Sequence, residues 1–137
     1  MKRLISAALL GSIVLAGGAG GASAKPSLRE VEEIYEPLYW ALVAFEIADA
    51  CDSLEGRKLK GATDGWALVR KARSLGYSNE EIRAFLDSDE EKARMRARGD
   101  AYFKHKGASH ENPETFCALG RAEMERNSQI GVYLRAK

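Results

Sequence analysis

The chain has 137 residues, with 21 basic and 20 acidic side chains, 45% hydrophobic residues and two cysteines. A net charge of +1 argues against nucleic acid, whose binding proteins carry a clear basic excess. It argues equally against electrostatic adhesion to an anionic membrane.

The chain opens MKRLISAALLGSIVLAGGAGGASAKPS. Lys2 and Arg3 give it a positive start, Leu4 to Leu15 is almost free of polar residues, and Ala22-Ser23-Ala24 is a small-x-small pattern accepted by signal peptidase. A membrane span needs about 20 predominantly apolar residues, whereas this run gives way to glycines after Ala16. No cysteine follows it to carry a lipid. The pattern predicts cleavage after Ala24, a periplasmic location and no stable membrane insertion afterwards. Cleavage removes two basic groups and no acid, leaving 113 residues with 19 basic and 20 acidic side chains. Residues 25–137 are then expected to form a single helical domain, a size that suits one compact unit.

Helix signals recur through this domain and strand signals are scarce. Ser27 to Glu30 is a capping box, in which the serine hydroxyl and the glutamate carboxylate each satisfy a free backbone amide. Pro37 removes a helical hydrogen bond and clashes with the preceding turn. The prediction is therefore a short helix to about Glu36, a kink, and a long helix ending near Leu54 before Gly56. Along the long helix, Leu38, Leu42 and Phe45 share one face, and Trp40, Ala44, Ile47, Cys51 and Leu54 another. A helix apolar on two faces should be central, with Glu46 and Asp49 on its narrow solvent arc.

Thr63 or Asp64 is then expected to cap a helix that stops at Gly76, with Trp66, Leu68, Val69, Ala72 and Leu75 as its apolar stripe. Ser78 to Glu81 is a second capping box, opening a short helix with Ile82, Phe85 and Leu86; Ser88 to Glu91 is a third. Asn112 and Pro113 suit the cap and first position of a last helix bearing Phe116, Cys117, Leu119, Gly120 and Met124. Together these signals predict an all-α, compact bundle of about five helices. In the tail SQIGVYLRAK, Ile130, Val132 and Leu134 alternate with Gly131 and Tyr133, a pattern of an extended segment. The tail is expected to pack back on the bundle, with recognition of a partner as the other use.

Cys51 and Cys117 sit on stripes that otherwise hold core residues. In an oxidising compartment two cysteines normally pair, and the absence of a Cys-x-x-Cys motif weighs against a redox-active thiol. His105 and His110 lack metal-ligand spacing, so no metal and no cofactor is expected. The run Lys92, Arg94, Arg96, Arg98 is expected to be a solvated face, with Glu90 and Glu91 pairing to Arg94. Paired carboxylates fall in first helical turns, where acidic groups suit the helix dipole. No nucleophile–base order and no phosphate loop appears, so no catalytic residue is assigned.

The stretches ARSLGYSNEEIRAFLDSDEEKARMRARGDAYF, ETFCALGRAEM and SQIGVYLR, with the export signal and the cysteine before DSLEGR, resemble a family of small exported alphaproteobacterial proteins known only as a domain of unknown function. The resemblance spans most of residues 30–135. It implies that Cys51 and Cys117 are a paired position and that the tail belongs to the domain, and it carries no activity. In architecture alone the chain is similar to periplasmic acid-stress chaperones and to immunity proteins against type VI secretion effectors. The expected function is thus an exported, non-enzymatic binding or accessory protein with an unidentified protein partner. Its expected contact surface is formed by Tyr35, Tyr39, Ile130, Val132, Tyr133 and Leu134. An acid-stress chaperone or an effector-immunity protein is the alternative.

Overall fold

The structure is a computed structural model that describes residues 25–137; the expected signal peptide lies outside the described residues. Five helices are present: α1 (Glu32–Ala50), α2 (Lys58–Ser74), α3 (Asn79–Asp87), α4 (Asp89–Lys106) and α5 (Glu114–Glu125). Two three-residue strands, β1 (Leu54–Gly56) and β2 (Leu134–Ala136), pair antiparallel, with Leu54 opposite Ala136 and Gly56 opposite Leu134. Short 3-10 turns at Leu28–Glu30 and Gly131–Tyr133 precede α1 and β2. The all-α class, the five helices and the packed tail follow the expectation.

Helix α1 is central because it is apolar on opposite sides, and each side closes a separate cluster. Tyr39, Val43, Ala44 and Ile47 join Phe103 of α4, Phe116 and Leu119 of α5, and Ile130, Tyr133 and Leu134 of the tail. Ile34, near the start of α1, instead meets Leu28, Ala72, Tyr77 and Ile82. Burying a large apolar side chain of this kind contributes roughly 1.5–3 kcal/mol. Cys51, just past α1, is bonded to Cys117 of α5 across 66 residues of sequence. Closing a loop of that length stabilises the fold by about 4 kcal/mol through the entropy of the unfolded chain.

Three boundaries in α1 and α2 differ from the sequence expectation. Helix α1 runs unbroken through Pro37, because Ile34 and Tyr39 on either side of the proline are anchored in the two clusters. It ends at Ala50, not near Leu54: Cys51 is extended, and Leu54 to Gly56 give their backbone groups to the tail. Helix α2 starts at Lys58, six residues before Asp64. Asp64 is not its cap, since its carboxylate accepts from Lys60 Nζ and from Tyr133 Oη, each at 2.8 Å.

The caps are largely as written in the sequence. Both reciprocal bonds of the box form at Ser27 and at Ser78. At Ser88 only the serine half forms. The Glu91 carboxylate turns inward, 7% exposed, and accepts from Arg29 Nε at 2.9 Å instead of pairing with Arg94. Helix α5 begins at Glu114, one residue later than expected, with Pro113 as the residue before it. Arg94 pairs with Glu90 at 2.6 Å as anticipated. Arg98 reaches across to α1, with bonds of 2.7 and 2.8 Å to Glu36 and its guanidinium 3.7 Å from the Tyr39 ring centroid.

Candidate functional site

Helices α1, α2 and α3 leave an open cleft of about 390 Å³ between them. Tyr77, in the turn that joins α2 to α3, packs with the lining residues Leu28, Ile34, Ala72 and Ile82. Gly76 takes a positive φ of 93° there, a conformation that costs other residues a clash with their own Cβ. Tyr77 Oη donates to the Pro26 carbonyl at 2.5 Å, and Lys25 Nζ donates to the Gly76 carbonyl at 2.6 Å. Lys25 and Pro26 are thereby fastened to this turn. The Ser78 box then aims α3 back along α2. The Glu81 carboxyl is held below the usual carboxylate range by the Ser78 backbone N–H and by Lys25.

The walls are apolar throughout. Leu28, Ile34 and Leu38 come from the chain start and α1; Ala62, Gly65, Trp66, Leu68, Val69 and Ala72 from α2; Ile82, Phe85 and Leu86 from α3. No lining residue is titratable, and the one polar side-chain atom is the Trp66 indole N–H. Several of these residues are open to solvent: Trp66 is 61% exposed and Leu86 46%. Leu42, one turn beyond Leu38 on α1, is 47% exposed and continues the apolar surface. A small residue shapes the cleft on α2, where a Cβ added at Gly65 would meet no atom within 4 Å.

Four of the six residues of the expected contact surface are buried. Tyr39, Ile130, Tyr133 and Leu134 are buried, and Tyr35 and Val132 are half-buried. Tyr39 lies beneath Arg98, and Ile130, Tyr133 and Leu134 fill the core between α1 and α5. These side chains are spent on holding the tail in place. Cys51 and Cys117 are both buried and are joined to each other.

Other polar side chains pair among themselves. Buried Glu123 accepts from Tyr102 Oη at 3.2 Å and pairs with Arg126. Burial pushes the Tyr102 phenol well above its usual range, and the Glu123 charge adds to it. His110 stacks on Phe116 and lies 3.7 Å from Glu46, whose carboxyl is raised by burial and by Asp100. Among the described residues, no group of three or more His, Cys, Asp and Glu side chains converges as metal ligands do.

The cleft residues were visible in the sequence only as core stripes. Trp66, Leu68, Val69 and Ala72 read as the stripe of one helix and Ile82, Phe85 and Leu86 as that of another, with no sign that the two stripes stop short of full contact. The available signal was Gly65 on α2, which lines the cleft without a side chain.

A family model described as a family of unknown function, DUF5333, matches residues 26–135. The chain belongs to the DUF5333 family. The matched DUF5333 span takes in every residue of the cleft, both cysteines and the tail as far as Arg135. No curated protein and no solved structure matches the chain.

Proposed function

We propose that the protein is an exported, non-enzymatic binding protein that receives an apolar group in the cleft between α1, α2 and α3. The observation that carries this is the cleft itself, about 390 Å³ in volume and walled by apolar side chains, with Trp66 61% exposed. Small-molecule sites span roughly 300–1,000 Å³ and are mostly apolar, and a tryptophan left in water is a common anchor for recognition. A wall without acid, base or nucleophile is suited to holding a partner and offers no group for general acid–base or nucleophilic chemistry. Two features support export to the periplasm. The N-terminal residues carry the three parts of a signal peptide, and a Cys51–Cys117 bond persists in oxidising compartments.

A neutral hydrophobic dye such as Nile red tests the site. Wild-type protein should enhance its fluorescence saturably, and Gly65→Leu, which adds an isobutyl group to the cleft wall at a position where a Cβ meets no atom within 4 Å, should bind it at least tenfold more weakly. Equal binding by the two proteins would remove the cleft from the account. Export is tested by mass spectrometry of the periplasmic fraction, which should show a chain starting at Lys25 with both cysteines oxidised.

One observation favours a second reading, an acid-stress chaperone. The Glu36 and Asp64 carboxyls join distant elements and are held below the usual carboxylate range by Arg98 and Lys60. Those ties are lost in acid, which would open the bundle and expose its core to client proteins. Light scattering of an aggregating client at about pH 3 discriminates the two. Absence of any suppression would eliminate the chaperone.

A further inference from the structure

We propose that the occupant of the cleft is the hydrocarbon chain of a free long-chain fatty acid, with its carboxylate on Arg70 and Arg73 of α2. This rests on the cleft being a binding site and adds what binds there. Two independent features carry it, the chemistry of the walls and the distribution of charge along α2.

The walls admit only hydrocarbon. Apart from the Trp66 indole N–H, no lining side chain can donate or accept a hydrogen bond. A polar group carried inside would lose its water and gain no partner, which is costly. An extended peptide would bring backbone N–H and C=O groups with the same difficulty. An unbranched alkyl chain brings none.

The charge beside the cleft is positive and partly uncompensated. Helix α2 carries Lys58, Lys60, Arg70, Lys71 and Arg73 against the single acid Asp64. Lys60 is held by Asp64 at 2.8 Å and Lys71 by Glu33 at 2.9 Å. Arg73 Nε donates only to the neutral Asn79 carboxamide, at 2.8 Å, and among the described residues Arg70 makes no ion pair. Trp66, Arg70 and Arg73 follow one another at spacings of four and three, so they share one face of α2. Two cations with charge to spare therefore stand one and two turns from the indole that borders the cleft. Of the nearby acids, Glu81 is engaged by Lys25 and Glu33 by Lys71. An apolar tail next to an anionic head complements this arrangement. A neutral lipid leaves the arginines unused.

Competition for bound Nile red tests the proposal, with octanoate, decanoate and dodecanoate below their micellar concentrations, dodecanol as the uncharged control, and phosphatidylglycerol vesicles. Affinity should rise about fourfold for each added methylene of the carboxylates. The Arg70→Ala/Arg73→Ala double variant should weaken dodecanoate about tenfold and leave dodecanol unchanged. Both arginines are exposed, and an unaltered melting temperature confirms that the variant is folded. Gly65→Leu should lose dodecanoate and dodecanol alike. Dodecanoate binding that the double variant leaves intact overturns the head-group assignment while the cleft stands. Dodecanoate binding that survives Gly65→Leu overturns the site. Binding to vesicles with none to monomeric dodecanoate overturns the fatty acid in favour of a membrane surface. Failure of Nile red itself to bind wild-type protein overturns the parent function.

Discussion

Tyr133 Oη donates a 2.8 Å hydrogen bond to Asp64 Oδ2, tying the end of the chain to the second turn of α2. Lys60 completes the contact, bonded to the same carboxylate and 5.1 Å from the centre of the Tyr133 ring. Burial first, and then the Asp64 carboxylate, pushes the Tyr133 phenol up to about 12. The latch is polar at the surface and apolar beneath, where Ile130 and Leu134 are 3% and 4% exposed. Tyr133→Phe should therefore cost only about 1 kcal/mol, because Asp64 is partly solvated and water replaces the lost donor. Leu134→Ala should cost about 2–5 kcal/mol through the cavity it leaves. Urea unfolding of the two variants checks the order. A larger loss for Tyr133→Phe would show that the latch, not burial, holds the tail.

The Cys51–Cys117 bond ties the end of α1 to α5 beside Ser53, whose hydroxyl lies 3.3 Å from Cys51 Sγ. Reduction, or the Cys51→Ala/Cys117→Ala pair, should lower stability by about 4 kcal/mol. Both sulfurs are buried, so the folded protein should resist mild reductant that reduces it promptly in denaturant. Thiol labelling with and without urea measures this.

Two glycines give opposite predictions for the same substitution. At Gly65 a methyl group enters open space, and alanine restricts the unfolded chain in mid-helix, so Gly65→Ala should stabilise by about 0.5–1 kcal/mol. At Gly131 the same methyl would collide with the Glu123 carbonyl and the neighbouring backbone, which cannot rotate away. Gly131→Ala should destabilise by at least 1–3 kcal/mol, the cost typical of overpacking. Thermal melts of the pair decide it.

Much of the fold was legible in local chemistry. The Ser27 and Ser78 boxes and the Glu90–Arg94 pair each depend on residues a few positions apart. What the sequence did not disclose depends on distant partners. Pro37 is a breaker in isolation, and only the clusters around Ile34 and Tyr39 carry the helix through it. Glu91 completes a capping box on paper, yet Arg29, 62 residues away, takes its carboxylate. The site was hidden for a related reason. An apolar stripe has the same spacing whether its opposite wall is present or missing, so Trp66 reads as core although it is 61% exposed. Tyr133 and Leu134 read as an apolar terminus, and their burial depends on distant partners in α1 and α5.

Acid should weaken the fold over a definable range. The Glu36 carboxyl is lowered by Arg98 and the Asp64 carboxyl by Lys60 and then Tyr133, whereas both return to about 4 on unfolding. Their contribution is therefore fully present above about pH 4.5 and is lost as the pH falls through the lowered folded values. Glu46, raised by burial and Asp100, runs the other way and offsets part of the loss. Urea midpoints should be flat near neutrality and drop below about pH 4, and Glu36→Gln should flatten the drop. An unchanged slope in that variant would exclude the Glu36–Arg98 pair as a source.

The central claim is that the cleft receives an apolar group. The most direct measurement is the emission of Trp66 in a Trp40→Phe background, which leaves it as the single tryptophan. With the indole 61% exposed, the free protein should emit at the long wavelength of a solvated ring. Monomeric dodecanol should shift that emission saturably to the blue, and the same titration in Gly65→Leu should produce no shift. A wild-type spectrum that does not move, or one that moves equally in both proteins, would contradict the claim.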